Sequence, residues 1–232
     1  MTNCLWCGRE ELPKIRLIDI VGLTKIKTEP LCRQCKKQLS YLDDQSTCRG
    51  CGRPEDGEEY CKDCIRWQNL YPHYDFHNEA LYEYNEFMKE WIEAYKFKGD
   101  YRLGKVFAEP LKYKVEKRAD TESVIIPIPI SKKSMDIRGF NQVKGLLDFA
   151  GLSYNEVLVH VGIGEKQSSK NRQQRMTSSQ PFEIKPSKRI EIECRNILLI
   201  DDVYTTGRTL FHAADCLFLN GAANVQSLTI AR

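Results

Sequence analysis

Long apolar runs are missing from this sequence of 232 residues, and so is a strong net charge of either sign. Because no stretch is long and apolar enough to span a bilayer, we expect no membrane span. Residues 1–7 do not combine a basic segment with an apolar one, so we expect no signal peptide and a reducing, cytoplasmic compartment. The net charge of +3 is too small to indicate nucleic-acid binding by itself.

Apolar residues and cysteines, in contrast, are well represented. Hydrophobic residues make up 41% of the chain, which is sufficient for one α/β domain of ordinary size and a small additional module. The chain has ten cysteines, and all but Cys194 and Cys216 form Cys-x-x-Cys pairs before residue 65: Cys4/Cys7, Cys32/Cys35, Cys48/Cys51 and Cys61/Cys64. We therefore expect a cysteine-rich module over residues 1–66 and an α/β domain over residues 67–232.

The cysteine pairs predict two structural Zn²⁺ sites. Two intervening residues let both thiolates of a pair face one metal, and two pairs complete a tetrahedral site. The module has too few aliphatic residues for a core of its own, so the metal would supply its stability. Disulfides, or a single zinc, are the alternatives. The pairs could also interleave as a cross-brace, although alternating apolar residues within 8–31 could form a hairpin and favour sequential zinc ribbons.

The stretch 196–210 combines the pattern of a buried strand with that of an anion-binding loop. Ile197–Ile200 is an apolar run typical of a central parallel strand, and Asp201 and Asp202 follow where that strand should end. Gly207 permits close backbone approach to a ligand, and apolar residues then recur at helical spacing to about Gly221. Ligands of open α/β sheets bind at the carboxyl ends of strands, and helix N-termini attract anions. We therefore expect the functional site here.

The residue types in this stretch suit a sugar phosphate. Backbone N–H groups and threonine hydroxyls can surround one phosphate, whereas the two carboxylates can accept hydrogen bonds from vicinal ribose hydroxyls. The stretch resembles the signature of the type I phosphoribosyltransferases, which bind phosphoribosyl pyrophosphate (PRPP). Acids that hold Mg²⁺, as in nucleotide hydrolases, or that merely cap the next helix, are the alternatives. The candidate PRPP-binding or phosphate-binding residues are Asp201, Asp202, Val203, Tyr204, Thr205, Thr206, Gly207, Arg208 and Thr209.

Three other segments bear on the site. Residues 123–130 predict a second buried strand, and Ser131, Lys132 and Lys133 follow it where this fold carries a pyrophosphate loop. Residues 156–161 predict a third strand. Residues 166–180 contain almost no apolar side chain and cannot bury a core, so we interpret them as a surface loop, a lid or a phosphate-contacting arm. Its lid or DNA-contact candidates are Lys170, Arg172 and Arg175.

Positive charge predicts a DNA-binding surface in spite of the low net charge. The exposed aromatic residues Trp6 and Trp67 could stack on bases, although packing against the zinc ribbons is the alternative. The contributing cations are expected in loops near the carboxyl-end face and on the cysteine turns: Lys132, Lys133, Arg138, Lys166, Lys170, Arg172, Arg175, Arg33, Lys36, Lys37, Arg49 and Arg53.

The order of these motifs resembles the ComF family over nearly the whole chain. The resemblance rests on the cysteine pairs, Pro127-Ile128-Pro129, Arg138-Gly139-Phe140-Asn141-Gln142, and the stretch 199–207. It implies a cytoplasmic factor for natural transformation, acting near the inner face of the membrane. Such a factor would handle incoming single-stranded DNA together with a ComFA-type helicase-like ATPase and a DprA-type DNA-processing protein. PRPP or ribose 5-phosphate is the implied ligand, with Mg²⁺ as a companion of PRPP.

No residue can be assigned a catalytic role from the sequence. An amidophosphoribosyltransferase would also need a glutaminase cysteine, and Cys4 already belongs to a cysteine pair. Two hypotheses therefore stand side by side. The chain is either a DNA-handling factor with a phosphate site, or an active phosphoribosyltransferase that acts on an unidentified acceptor.

Overall fold

The computed structural model describes residues 2–11, 29–42, 47–54, 59–119, 122–162 and 180–232. Its amino-terminal part contains two short antiparallel strands and two helices: β1 (Thr2–Asn3), β2 (Glu10–Glu11), α1 (Arg33–Lys36) and α2 (Lys62–Leu70). The hairpin expected within 8–31 falls largely on residues outside these ranges. The longest described helices have 12 residues, and none is long and apolar enough to cross a bilayer.

The rest of the chain alternates strands with helices. Its strands are β3 (Asn78–Tyr82), β4 (Val124–Pro127), β5 (Leu158–His160), β6 (Phe182–Ile184), β7 (Asn196–Val203) and β8 (Asn224–Ala231). Its α-helices are α3 (Glu86–Phe97), α4 (Ala108–Arg118), α5 (Lys132–Arg138), α6 (Gln142–Ala150) and α7 (Arg208–Leu219). Among the described residues of this part, two 3₁₀-helices span Tyr101–Phe107 and Pro186–Glu191.

Four strands form one parallel sheet in the order β3-β8-β7-β4, which confirms the expected α/β class. In the inner strand β7, Ile197 lies opposite Val124 of β4 and Val225 of β8. The strand expected over 156–161 exists as β5, but it lies outside this sheet and pairs antiparallel with β6. Because the four strands are parallel, their carboxyl ends share one edge, and that edge positions the candidate site.

The alternation of side chains along β7 divides the interior into two cores. Leu198 and Ile200 point into the core that contains residues of α3, α4 and α6, whereas Ile197 and Leu199 point into the core that contains residues of α7. All four residues of this run are at most 4% exposed. A strand that is covered on both faces explains why the run shows no polar alternation.

The two cysteine groups pack on opposite faces of the sheet. Cys4, Cys32 and Cys35 share a core with residues of α3, while Cys48, Cys51, Cys61 and Cys64 share the other core with Leu199 and Phe211. Apolar packing therefore crosses the expected boundary at residue 66 twice. The division into 1–66 and 67–232 remains a prediction, and each half buries part of its apolar surface against the other.

Candidate functional site

The two adjacent acids at the end of β7 point to opposite faces of the sheet. Asp202 lies on the face of α3, where its Oδ2 is 2.5 Å from Nζ of Lys96. Asp201 belongs to the face of α7, and its Oδ1 accepts a hydrogen bond of 2.9 Å from the backbone N–H of Asp202. Both acids are buried, since only 7% of the surface of Asp201 and 3% of that of Asp202 is exposed. The pair therefore sits at the rim of the core, at the carboxyl edge of the sheet.

The surroundings favour a protonated Asp201. Burial, followed by the charge of Asp202, raises the pKa of Asp201 from 3.8 to about 8, although Lys96 acts in the opposite direction. Lys96 thus partly neutralises the acidic end of β7. Neither the helical pattern of α3 nor any local motif indicated this lysine, because the contact depends on which helix packs beside β7.

The raised pKa of Asp201 predicts a pH-dependent stability. The folded chain keeps the proton up to about pH 8, whereas the unfolded chain loses it near 3.8, so stability contributed by this group falls as the pH rises between those values. Replacing Asp201 with asparagine removes that loss. We expect the D201N variant to melt at least about 3 °C above the parent at pH 8, and at the same temperature near pH 4. The ligand-free proteins would be compared by thermal melting.

The matched control for this experiment is Asp136→Asn, at an exposed position of α5. That variant should follow the parent at every pH. Melting curves of D201N that stay parallel to those of the parent from pH 4 to pH 8 would show that the Asp201 carboxyl titrates normally.

Residues 204–207, called the phosphate loop below, connect the acids to helix α7. Within this loop the side chain of Tyr204 is buried, while Thr205 and Thr206 are exposed. Gly207 has φ +80° and forms the N-cap of α7. A glycine there has no side-chain oxygen that could accept from the first-turn N–H groups, so these donors stay available to an anion. The exposed Arg208 and Thr209 border the same position.

Two residues outside the phosphate loop, Trp67 and Arg232, donate hydrogen bonds to its carbonyl groups. The indole N–H of Trp67 in α2 donates to the carbonyl of Thr206 at 2.8 Å, and the ring stacks on Phe211 at a centroid distance of 4.6 Å. Nη1 of Arg232 donates to the carbonyls of Tyr204 and Thr205 at 3.2 and 2.7 Å. Both contacts are made to carbonyls and use none of the loop N–H groups, of which that of Tyr204 donates to the carbonyl of Ala231 at 3.0 Å. Sequence reasoning assigned Trp67 to base stacking or ribbon packing and did not identify Arg232.

The expected pyrophosphate loop lies at the neighbouring strand. Ser131 caps α5 by accepting from the N–H of Ser134 at 3.1 Å, and Lys132 and Lys133 occupy the exposed first turn of that helix. Because β4 pairs with β7, these residues follow the same edge of the sheet as the acids. Asn141 fixes the adjoining turn, since its side chain caps α6 and donates to the carbonyl of Ile128 at 3.1 Å. The role in pyrophosphate binding remains a prediction.

The expected positive surface is only partly free of acidic partners. Lys36 is 2.8 Å from Glu29, Arg53 is 3.2 Å from Asp63, and Arg49 pairs with Glu59. Arg138 donates to Gln142 at 2.9 Å. The lid candidates Lys170, Arg172 and Arg175, together with Lys166, lie outside the described residues. Trp6 packs edge-to-face on Phe87 at 5.2 Å, so its contact is structural.

The eight paired cysteines form two separate four-sulfur groups, as sequential ribbons require. The first cysteine group is Cys4, Cys7, Cys32 and Cys35, and the second cysteine group is Cys48, Cys51, Cys61 and Cys64. Within each group the ligand atoms lie within 4.8 Å of one another, with Sγ–Sγ distances of 3.7 Å for Cys7–Cys32 and for Cys51–Cys61. Tetrahedral zinc with Zn–S bonds of about 2.3 Å needs sulfurs about 3.8 Å apart. Both groups therefore fit Zn²⁺.

Curated relatives match most of this chain. It is 35% identical over 208 residues to competence protein ComFC of Bacillus subtilis strain 168, an alignment that covers 88% of this chain and 85% of the relative. The chain belongs to the ComF family. This ComF-family chain is also 32% identical to competence protein ComFC of Streptococcus pneumoniae, with 99% and 100% of the two chains covered. No protein-family model matches it.

Solved structures similar to this ComF-family chain include phosphoribosyltransferases. One is a hypoxanthine-guanine phosphoribosyltransferase from Bacillus anthracis, with a TM-score of 0.37 and 11% identity over 56% of this chain and 69% of that one. Another is a hypoxanthine phosphoribosyltransferase from Staphylococcus aureus, with a TM-score of 0.35 and 13% identity over 63% and 71%. These values bear on neither the ligand nor the reaction.

Proposed function

We propose that this ComF-family protein binds PRPP or ribose 5-phosphate at the carboxyl end of β7 and handles incoming single-stranded DNA in natural transformation. The observation that carries the ligand assignment is helix α7, which has Gly207 as its N-cap and follows two buried acids across a short loop. The first-turn N–H groups of α7 would hold the 5′-phosphate. Asp201 and Asp202 would accept from the ribose hydroxyls, and Mg²⁺ would accompany the pyrophosphate of PRPP.

A protonated Asp201, which its raised pKa favours, is compatible with this ligand. A carboxyl group that is neutral can both donate to and accept from a hydroxyl, and it does not repel a nearby phosphate. Asp202 keeps a cation partner in Lys96, so the acidic end of β7 carries little net charge. The site thus suits a ligand that presents hydroxyls to the strand and an anion to the helix.

The DNA-handling part of the proposal rests on the relatives' names and on the basic segment 166–175. Relatives that cover most of this chain are named competence proteins. DNA binding would use Lys170, Arg172 and Arg175, because the cations on the cysteine turns are largely paired with acids. A ComFA-type ATPase and a DprA-type protein would be its partners at the cytoplasmic side of the membrane.

Removing the lid cations tests the DNA surface. We expect the parent to bind single-stranded oligonucleotides of any sequence, and K170Q/R172Q/R175Q to bind more weakly. Each phosphate contact contributes about −0.7 to the slope of log affinity against log salt concentration. Loss of three contacts should therefore make this slope less negative by about 2. Fluorescence anisotropy across a salt titration measures both quantities. The D201A variant should bind DNA nearly as well as the parent, because the Asp201 carboxyl that it lacks lies at a different site from the proposed DNA contacts.

The matched control for this titration removes the same charge elsewhere, by replacing the exposed Lys89, Lys112 and Lys117 with glutamine. If the control lost as much DNA affinity as the lid variant, the effect would come from net charge and not from a lid contact. Failure of the parent to bind DNA at low salt would leave protein partners as the only route to a transport role.

A second candidate function is phosphoribosyl transfer to an unidentified acceptor. The observation that favours it is the position of Ser131, Lys132 and Lys133 at the strand end next to the acids, where they could receive pyrophosphate as the leaving group. Release of pyrophosphate from PRPP on addition of a cell extract, lost in D201N/D202N, would support transfer. Binding of PRPP without such release under the same conditions would favour the DNA-handling role.

A further inference from the structure

One side chain connects the phosphate loop with the second cysteine group. Arg232 follows β8, and its guanidinium lies over the ring of Tyr204 at 4.7 Å from the centroid. Its Nη1 donates to the carbonyls of Tyr204 and Thr205, as described above. This arrangement uses only one of the three guanidinium nitrogens on the loop.

The other two nitrogens of Arg232 are also buried. Nε and Nη2, like Oη of Tyr204, have no hydrogen-bond partner in the part of the chain that the structure describes. Buried donors without acceptors are rare, because each costs about 1–3 kcal/mol or more when charged. Such a group indicates that something belonging to the working protein completes its environment.

The second cysteine group lies in the same core as Tyr204. Tyr204, over whose ring the Arg232 guanidinium lies, belongs to the buried cluster that contains Cys48, Cys51, Cys61 and Cys64. The unpaired donors of Arg232 and the unpaired hydroxyl of Tyr204 therefore border the core that holds these four sulfurs.

A metal in the second cysteine group would supply the missing acceptors. Four thiolates around one Zn²⁺ carry a net charge of −2, and outer hydrogen-bond donors to such sulfurs orient the ligands and tune the metal. A buried guanidinium with free N–H groups is suited to that role, since its hydrogen bonds to anionic sulfur would be charge-assisted.

We propose that Arg232 is a positioning residue that couples metal binding in the second cysteine group to anion binding at the phosphate loop. With the metal bound, one side of the guanidinium is fixed by thiolates and the other side fixes two loop carbonyls. The loop N–H groups are then held toward the ligand. The ligand half of this inference rests on the proposed function, while the metal half does not. Coupling between two sites is reciprocal, so ligand binding should also change the environment of the metal in the second cysteine group.

The first cysteine group provides an internal comparison. It packs on the opposite face of the sheet, and its neighbouring arginine, Arg9, donates to Gln34 at 2.6 Å instead of to the phosphate loop. Coupling should therefore be confined to the second cysteine group, and Arg9→Gln is the matched control for Arg232→Gln.

Cadmium NMR of the full chain, with both groups loaded with the spin-active isotope, tests the metal half without any ligand. We expect two resonances, and we expect R232Q to move only one of them while R9Q moves only the other or neither. Hydrogen exchange of the peptide covering residues 204–209 should become faster in R232Q and stay unchanged in R9Q. If R232Q left both resonances and the exchange of this peptide unchanged, the proposal would be wrong.

Titration of PRPP with Mg²⁺ tests the reciprocal half in the parent protein. Saturating PRPP should move the resonance that R232Q moves, and R232Q should bind PRPP about tenfold more weakly, within the range of known coupled sites. Measurable binding heat with both resonances fixed would overturn the coupling and leave the proposed function intact. An absence of binding heat in the parent would overturn the proposed ligand, and the ligand-free comparison would still decide the role of Arg232.

Discussion

Replacing Gly207 with valine is expected to lower the affinity for PRPP by at least about 100-fold. A Cβ atom at this position would lie 2.2 Å from Oη and 2.6 Å from Cζ of Tyr204, whose ring is buried. The backbone is also left-handed there, with φ +80°, which costs a residue with a side chain about 1–2 kcal/mol. Strain and displacement of the loop together exceed the ~2.7 kcal/mol that corresponds to a 100-fold loss. Isothermal calorimetry measures the change.

The physical reason differs from the one the sequence suggests. From the sequence, a branched side chain would fill the space of the phosphate, whereas the structure places the first collision inside the loop, on Tyr204. Gly151→Val is the matched control, because Gly151 has φ +64° at the end of α6 and an added Cβ would meet no atom within 4 Å. It measures the cost of the backbone conformation alone and should leave PRPP affinity within about twofold, as for sites far apart.

A second, milder variant keeps the ligand site testable if G207V folds poorly. Thr205→Ala combined with Thr206→Ala removes two exposed hydroxyls and leaves the carbonyls that Trp67 and Arg232 bind. We expect about tenfold weaker PRPP binding from the loss of these donors. Parent-like affinity in both variants would place the ligand elsewhere.

Loss of a single cysteine from the second cysteine group is expected to destabilise the whole chain by more than about 4 kcal/mol, as loss of a metal site does. Purified parent protein should contain two equivalents of zinc, and C48S should contain one. A domain boundary at residue 66, as expected from the sequence, would let only the cysteine-rich module unfold. The structure changes that expectation, because Cys48 and Cys51 share a core with Leu199 and Phe211 on one face of the sheet.

The control for the zinc experiment is Cys194→Ser, since Cys194 is exposed and belongs to neither group. C194S should keep two equivalents of zinc and the unfolding midpoint of the parent in urea. Elemental analysis and urea titration supply the two readouts. One equivalent or less in fully loaded parent protein would contradict two zinc sites, and a C48S variant that melts with the parent would contradict the shared core.

The strand, loop and helix over residues 196–219 could be predicted because all of their signals are local. The apolar run, the acids and the glycine are adjacent in the chain, and strand and helix periodicities mark both ends of the loop. The sequential cysteine groups were predictable for the same reason, since each closes over a short separation. In both cases neighbouring residues carry the geometry.

The parts that could not be predicted depend on packing between distant segments. Trp67 and Thr206 are 139 positions apart, and Lys96 reaches Asp202 only because α3 packs beside β7. The placement of the two cysteine groups on opposite faces follows from the course of the chain around the sheet. A strand was expected at β5, but its antiparallel partner β6 was not expected. β6 follows a polar stretch, and no sequence pattern indicated a strand there. Such contacts require knowledge of the tertiary arrangement.

The most direct measurement is a crystal structure of the full chain with PRPP and Mg²⁺. We expect the 5′-phosphate at the first turn of α7, against the N–H groups that follow Gly207, and the ribose hydroxyls at Asp201 and Asp202. We also expect Trp67 and Arg232 to remain hydrogen-bonded to the loop carbonyls. A ligand bound elsewhere on the chain, or no bound ligand at saturating PRPP with this edge of the sheet open to solvent, would contradict the proposed ligand site.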